Sequence, residues 1–181
     1  MNVTRADIPD VLMLEPKVFT DARGHFLESY NRRRFREAAG IDPEFVQDNQ
    51  SFSVRNVLRG LHYQIRQPQG KLLQVLIGEV YDVVVDLRRS SRTFGKWTAV
   101  NLSGATHRMM WVPVGFAHGF LVISEHALVQ YKVTDYYAPE HERTIAWNDH
   151  QLGIRWPLES DPLLNDKDAR GTDFRSAELF D

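Results

Sequence analysis

The chain has 181 residues, no cysteine and a formal net charge of −2, with 43% hydrophobic and 25% charged residues. That length reads most simply as one domain, residues 1–181, with enough chain to bury a core. The charge exerts no general pull on nucleic acid or an anionic membrane, and the absence of cysteine excludes disulfide and thiolate chemistry.

At the N-terminus, MNVTRADIPDV carries acidic residues and no apolar stretch of the signal-peptide kind, so the cytoplasm is the expected compartment. Period-two alternation then predicts strands over 10–19, 25–30, 45–53, 57–65, 71–77, 79–88, 95–102, 108–113, 117–123 and 127–136. Turn chemistry separates many of them, as at Asp21-Ala22-Arg23-Gly24, Ser103-Gly104 and Pro113-Val114-Gly115. Within 79–88, Tyr81, Val83, Val85 and Leu87 share one face, and Asp82, Asp86 and Arg88 share the other. One helix is expected over Arg32–Ala39, stopped by Gly40, and a second short helix or irregular tail after Asn165. About ten short strands joined by turns predict an all-β sandwich or small barrel of jelly-roll type. The N-terminal hairpin 10–30 is long and apolar, and an exposed edge of that kind favours pairing with a second subunit.

Two stretches resemble landmarks of the cupin fold, the double-stranded β-helix. Pro113-Val114-Gly115-Phe116-Ala117-His118 matches its second motif, and Gly60-Leu61-His62-Tyr63-Gln64 lies where the first motif has His-x-His. A metal-binding cupin would place a second histidine at Gln64 and a carboxylate at Lys71. Ammonium has no lone pair to donate and repels a divalent cation. A metal is therefore not expected. His62 alone reads as a ligand, a proton carrier or a hydrogen-bonded core residue, and a cation beside it suits an oxyanion.

The stretches IPDVLMLEPKVFTDARGHFLESYN, FVQDNQSFS, NVLRGLHYQ, QGKLLQVLIGEVYDVVVDLR, WVPVGFAHGF and YKVTDYYAPEHE, with the late KDAR, occur in order. Together they resemble the dTDP-4-dehydrorhamnose 3,5-epimerases along nearly the whole chain. The resemblance implies inversion at C3 and C5 of a 4-keto-6-deoxyhexose carried on dTDP. It implies no cofactor, because the C4 ketone acidifies its neighbouring carbons. By position in the family motifs, His62 is the base, Asp168 its carboxylate partner, Tyr131 the acid on the opposite face and Lys71 the oxyanion stabiliser. Arg23, Arg59 and Lys167 match phosphate-binding positions, and Tyr137 matches the thymine-stacking position. Phe26, Glu28, Gln47, Asn49, His118 and Glu142 match further binding positions. A homodimer is implied in which the N-terminal hairpin crosses to the partner and completes its site. Arg59 and His62 have opposite strand parity, so both reach one pocket only if Gly60 marks a bulge. Other readings open to the residues are a single-carbon epimerase, a related ketoisomerase, a non-catalytic sugar-binding cupin and a metal-dependent dioxygenase.

Overall fold

The alternating apolar runs form thirteen strands, and in this computed structural model all residues from Met1 to Asp181 are described. Strands β1 (Asn2–Arg5), β2 (Leu12–Glu15), β3 (Val18–Asp21) and β4 (Gly24–Leu27) precede the helix α1 (Arg32–Ala39). They are followed by β5 (Gln47–Val54), β6 (Leu58–Gln64), β7 (Lys71–Ile77), β8 (Glu79–Asp86) and β9 (Trp97–Ser103). Strands β10 (Met109–Val112), β11 (Phe116–Val122), β12 (His126–Val133) and β13 (Glu142–Thr144) come next, then the single-turn helix α2 (Asp166–Ala169). A six-stranded sheet runs β1-β2-β10-β7-β12-β5 and a five-stranded sheet runs β13-β6-β11-β8-β9, every pair antiparallel. The two sheets form a cupin-type jelly roll. No helix is long and apolar enough to cross a membrane.

Alternation assigns each strand's residues to a layer. Met13, Leu73, Val75, Met110, Val112 and Val129 of the larger sheet meet Val80, Val84, Leu102, Phe116, Phe120 and Val122 of the smaller one. The outer face of the larger sheet presents Leu12, Leu14, Leu72, Met109 and Trp111 to Phe35 of α1. The outer face of the smaller sheet buries Leu61, Tyr63, Val83 and Val85 under Ile145, Leu152 and Phe174. Asn31 caps α1 by accepting from the Arg34 amide at 3.1 Å, and Gly40 ends it in the left-handed conformation at φ +72°. Phe35 is the one buried residue of that helix, and its burial contributes on the order of 2–3 kcal/mol.

Two expectations need correction. The run 10–19 is two strands, because Pro16 has no amide to continue a ladder and the chain leaves the large sheet there. The detached hairpin is therefore β3–β4, residues 18–27, rather than 10–30. Val11, Leu12 and Leu14 are buried in the body, while Phe19 and Phe26 stay exposed. The short strands β1 and β13 carry weak alternation and were not anticipated. The polar face of 79–88 turns inward, with Asp82 and Asp86 both fully buried. Asp86 accepts from the Arg88 guanidinium at 2.7 Å and from Ser91 and Thr93 at 2.6 Å each.

Candidate active site

Inward-facing positions are apolar through most of the jelly roll and turn polar at one end. There Asn49, His62, Lys71, His118 and Tyr131 replace the valines and methionines that fill the rest, and a cavity of about 410 Å³ opens between the sheets. The five come from β5, β6, β7, β11 and β12, so the site stands on strands of both sheets rather than on loops.

The register of β6 against β11 runs from the pair His118–His62 to the pair Phe120–Arg59, so β6 carries one extra residue. That residue lies at Gly60, which has φ +123°. A Cβ there would stand 2.6 Å from the Gly119 Cα, so only glycine lets the two strands pass. The bulge reverses parity, and Arg59 lines the cavity with His62, as the alternation argument required of Gly60. The Arg59 Nε donates to Ser53 Oγ at 3.0 Å.

His62 Nε2 lies 2.5 Å from Asp168 Oδ1. The carboxylate is held by α2, where Asn165 Oδ1 accepts from the Asp168 amide at 2.7 Å. Asp168 is 1% exposed and its Oδ2 has no partner. A carboxylate only accepts, so Nε2 carries the ring proton and Nδ1 keeps a lone pair. Burial lowers the His62 pKa below its usual value, against the opposing pull of Asp168. The imidazole is thus neutral and ready to accept a proton near pH 7.

Beside it, His118 Nε2 lies 2.9 Å from each oxygen of Asp82, a second buried histidine–carboxylate pair on the adjoining strand. Lys71 is 8% exposed, donates to the His62 carbonyl at 3.4 Å, and burial lowers its pKa to about 8. Asp82 and Glu142 pull that value back up, and Lys167 pushes it further down. Tyr131 reaches the cavity from the other sheet, with no hydrogen bond to its hydroxyl. Burial first, and then the Glu142 charge, raises its pKa, so it keeps its proton.

At the mouth, Glu142 accepts from Lys167 at 2.9 Å and from the Tyr137 hydroxyl at 3.0 Å. Burial pushes Glu142 up, but Lys167, His62 and Tyr137 together hold it below the usual carboxylate range. Gln47 accepts from the Tyr137 amide at 3.1 Å and donates to Asn49 at 2.8 Å.

Eleven of the fourteen expected site residues therefore gather here, ten lining the cavity and Asp168 behind His62. Arg23, Phe26 and Glu28 do not. Arg23 pairs with its own Asp21 at 2.6 Å on the exposed hairpin, Phe26 is 70% exposed, and Glu28 pairs with Arg34 at 3.2 Å. The sequence reading missed Asp82 and Asn165. The first shares the parity of the inward-facing Val80 and Val84, but alternation alone does not say which face of 79–88 meets the other sheet. The second is an Asn three residues before Asp168, a helix-capping spacing. The donor set does not suit a metal. Lys71 sets an ammonium where a metal-binding cupin has its carboxylate, and the Gln64 amide bonds to backbone at residues 67, 136 and 138. No three His, Asp or Glu side chains converge.

The family model for dTDP-4-dehydrorhamnose 3,5-epimerase matches residues 5–176. The chain belongs to this family. A dTDP-4-dehydrorhamnose 3,5-epimerase from Pseudomonas aeruginosa is 59% identical over 180 residues, covering 99% of each chain. The crystal structure of a dTDP-6-deoxy-D-glucose-3,5-epimerase from Legionella pneumophila, in complex with dTDP-4-keto-L-rhamnose, superposes with a TM-score of 0.96 at 48% identity. The match covers 99% of this chain and 97% of that one. A 3'-monoepimerase from Streptomyces bikiniensis, in complex with dTDP-quinovose, superposes at 0.89 with 33% identity, over 97% and 88% of the two chains. The same architecture thus serves epimerisation at one carbon as well as at two.

Proposed function

We propose that the 1–181 chain is one epimerase domain, an isomerase that converts dTDP-4-dehydro-6-deoxy-D-glucose to dTDP-4-dehydro-L-rhamnose. The observation that carries this reading is the opposition of His62 on the smaller sheet and Tyr131 on the larger one across a single cavity that Lys71 also lines. The C4 ketone acidifies the hydrogens on C3 and C5. Nδ1 of neutral His62 takes one of them, and Asp168 stabilises the imidazolium that forms. The electron pair moves to the ketone oxygen, where the Lys71 ammonium balances the enolate charge. Tyr131 returns a proton to the carbon from the other face, inverting it. Each step moves protons only, so the reaction asks for a base, an acid and a cation, and for no cofactor.

Arg59 and Lys167 supply charge-assisted donors for the diphosphate, and Tyr137 a flat face for thymine. Gln47, Asn49, His118 and Glu142 supply polar contacts around the sugar and base. Incubation with the 4-keto sugar nucleotide in deuterated water tests the reading. Deuterium at both C3 and C5 is expected; deuterium at one carbon assigns a single-carbon epimerase, and none assigns a binding protein.

The displaced hairpin supports a second element of this reading, a homodimer. Arg23, Phe26 and Glu28 contact substrate only if the hairpin reaches the cavity of a second copy. Mixing the inactive variants Arg23→Ala and His62→Ala then gives heterodimers with one site wild-type in both residues. Random reassociation would restore about a quarter of wild-type activity. If no activity returns on mixing, the hairpin serves its own chain or none.

A further inference from the structure

Gln64 follows His62 by two positions in β6 and shares its inward face. It is 4% exposed, and no step of the proposed reaction uses it. Its Oε1 accepts from the Ala138 amide at 2.9 Å, and its Nε2 donates to the Tyr136 carbonyl at 3.2 Å and the Gln67 carbonyl at 2.7 Å. Residues 136 and 138 flank Tyr137, and residues 136–138 belong to no strand or helix. Their three amides all donate to side chains, those of Asp135, Gln47 and Gln64, and Gln64 grips the backbone on both sides of Tyr137. Tyr137 is 53% exposed, so apart from the bond of its hydroxyl to Glu142 little packing holds the ring in place. An exposed ring stacks well only if its backbone is already ordered, because ordering it at binding would cost affinity.

We propose that Gln64 is a positioning residue for the nucleotide. It holds Tyr137 as a preformed stacking platform and ties that platform to the strand that carries His62. This rests on the reading of Tyr137 as the partner of the base. A polar amide in place of a metal ligand is thus put to use at the other end of the substrate.

A double-mutant cycle tests it, with dTDP and inorganic pyrophosphate as calorimetric probes. Gln64→Met keeps the length and removes every hydrogen bond; Gln64→Glu keeps the acceptor for Ala138 and loses both donors. Base stacking on an aromatic ring typically contributes enough that Gln64→Met is expected to weaken dTDP roughly tenfold. Gln64→Glu, which sets an oxygen against the Tyr136 and Gln67 carbonyls, is expected to weaken dTDP at least as much. Gln64→Met is expected to bind pyrophosphate as before, and the loss to appear in KM rather than in kcat. In a Tyr137→Ala background, Gln64→Met should cost less than about twofold more. Equal cost in both backgrounds, equal loss of pyrophosphate, or no loss of dTDP in Gln64→Met would overturn the proposal while leaving the platform intact. Undiminished dTDP binding by Tyr137→Ala alone would instead remove the platform, and with it the role given to Gln64. If Gln64→Met does not fold, the same cycle with Gln64→Glu decides between these outcomes.

Discussion

Replacing Asp168 by Asn tests the proposed base more sharply than removing His62 does, because it keeps the shape and takes away one charge. In the resting site, the Nε2–H of neutral His62 donates to the carboxylate over 2.5 Å. When a substrate proton reaches Nδ1, the same contact becomes a bond between two ions. A hydrogen bond involving a charged group contributes roughly 1.5–3 kcal/mol, against about 1 kcal/mol for a neutral one. With the amide oxygen facing Nε2, the developing imidazolium loses about 1–2 kcal/mol, or roughly 5–30-fold in rate. With the amide nitrogen facing it, the tautomer reverses, Nδ1 holds the proton and the loss approaches about 10⁴-fold. The carboxylate raises the His62 pKa against burial, so its removal lowers that pKa further. The acid limb of the rate profile must therefore move to lower pH while the plateau falls. Deuterium wash-in followed by NMR between about pH 5 and 8 reads both quantities. A plateau within about threefold of wild type, or a limb that moves up in pH, would refute the assignment.

Three further outcomes follow from the same geometry. Tyr131→Phe should keep much of the solvent exchange, which begins at His62, while inverted product falls by about 10²–10⁴-fold; lost substrate binding with an unchanged product ratio would make Tyr131 structural. Activity should decline above about pH 8 as Lys71 loses its proton, since its pKa is lowered while that of Tyr131 is raised. Lys71→Gln should lower the plateau and abolish that limb, and persistence of the limb would assign it elsewhere. Gly60→Ala should destabilise the fold by about 2–4 kcal/mol in denaturant titration, because a β-carbon meets the backbone at a strained φ. Its residual activity should fall with the loss of the bulge; an unperturbed variant would show that the bulge is not what aims Arg59.

What the sequence made legible depended on how locally each feature is encoded. The jelly roll was readable because alternation is local, and α1 because Asn31 and Gly40 cap it from both ends. Pro16 carried the signal that splits 10–19, yet its apolar flanks mask it unless the missing amide is weighed. Asp82 and Asp86 sit in a regular alternation that separates two faces without saying whether the second face meets water or another sheet. That distinction depends on the opposite sheet, and His118, the partner that holds Asp82, stands on the adjoining strand of the same sheet, thirty-six residues on. The hairpin residues Arg23, Phe26 and Glu28 rested on family position alone, and nothing inside one chain brings them to the cavity.

The two-sheet architecture bears directly on the proposed chemistry. Inverting a carbon needs a base and an acid on opposite sides of one plane, and a single strand or helix face cannot supply both. In a jelly roll the two inner faces look at one another about 10 Å apart, the usual spacing of packed sheets. That is room for a sugar ring with one functional group above and one below. His62 extends from β6 of one sheet and Tyr131 from β12 of the other, each fixed by ladder hydrogen bonds on both flanks of its strand. A metal-binding cupin would place its carboxylate at position 71, on the same sheet as Tyr131. With Lys71 there instead, the charge that meets the enolate is a single ammonium whose protonation the neighbouring Asp82 and Glu142 favour. The scaffold then needs only a polar residue on each inner face to turn a filled core into a site that moves a proton across it.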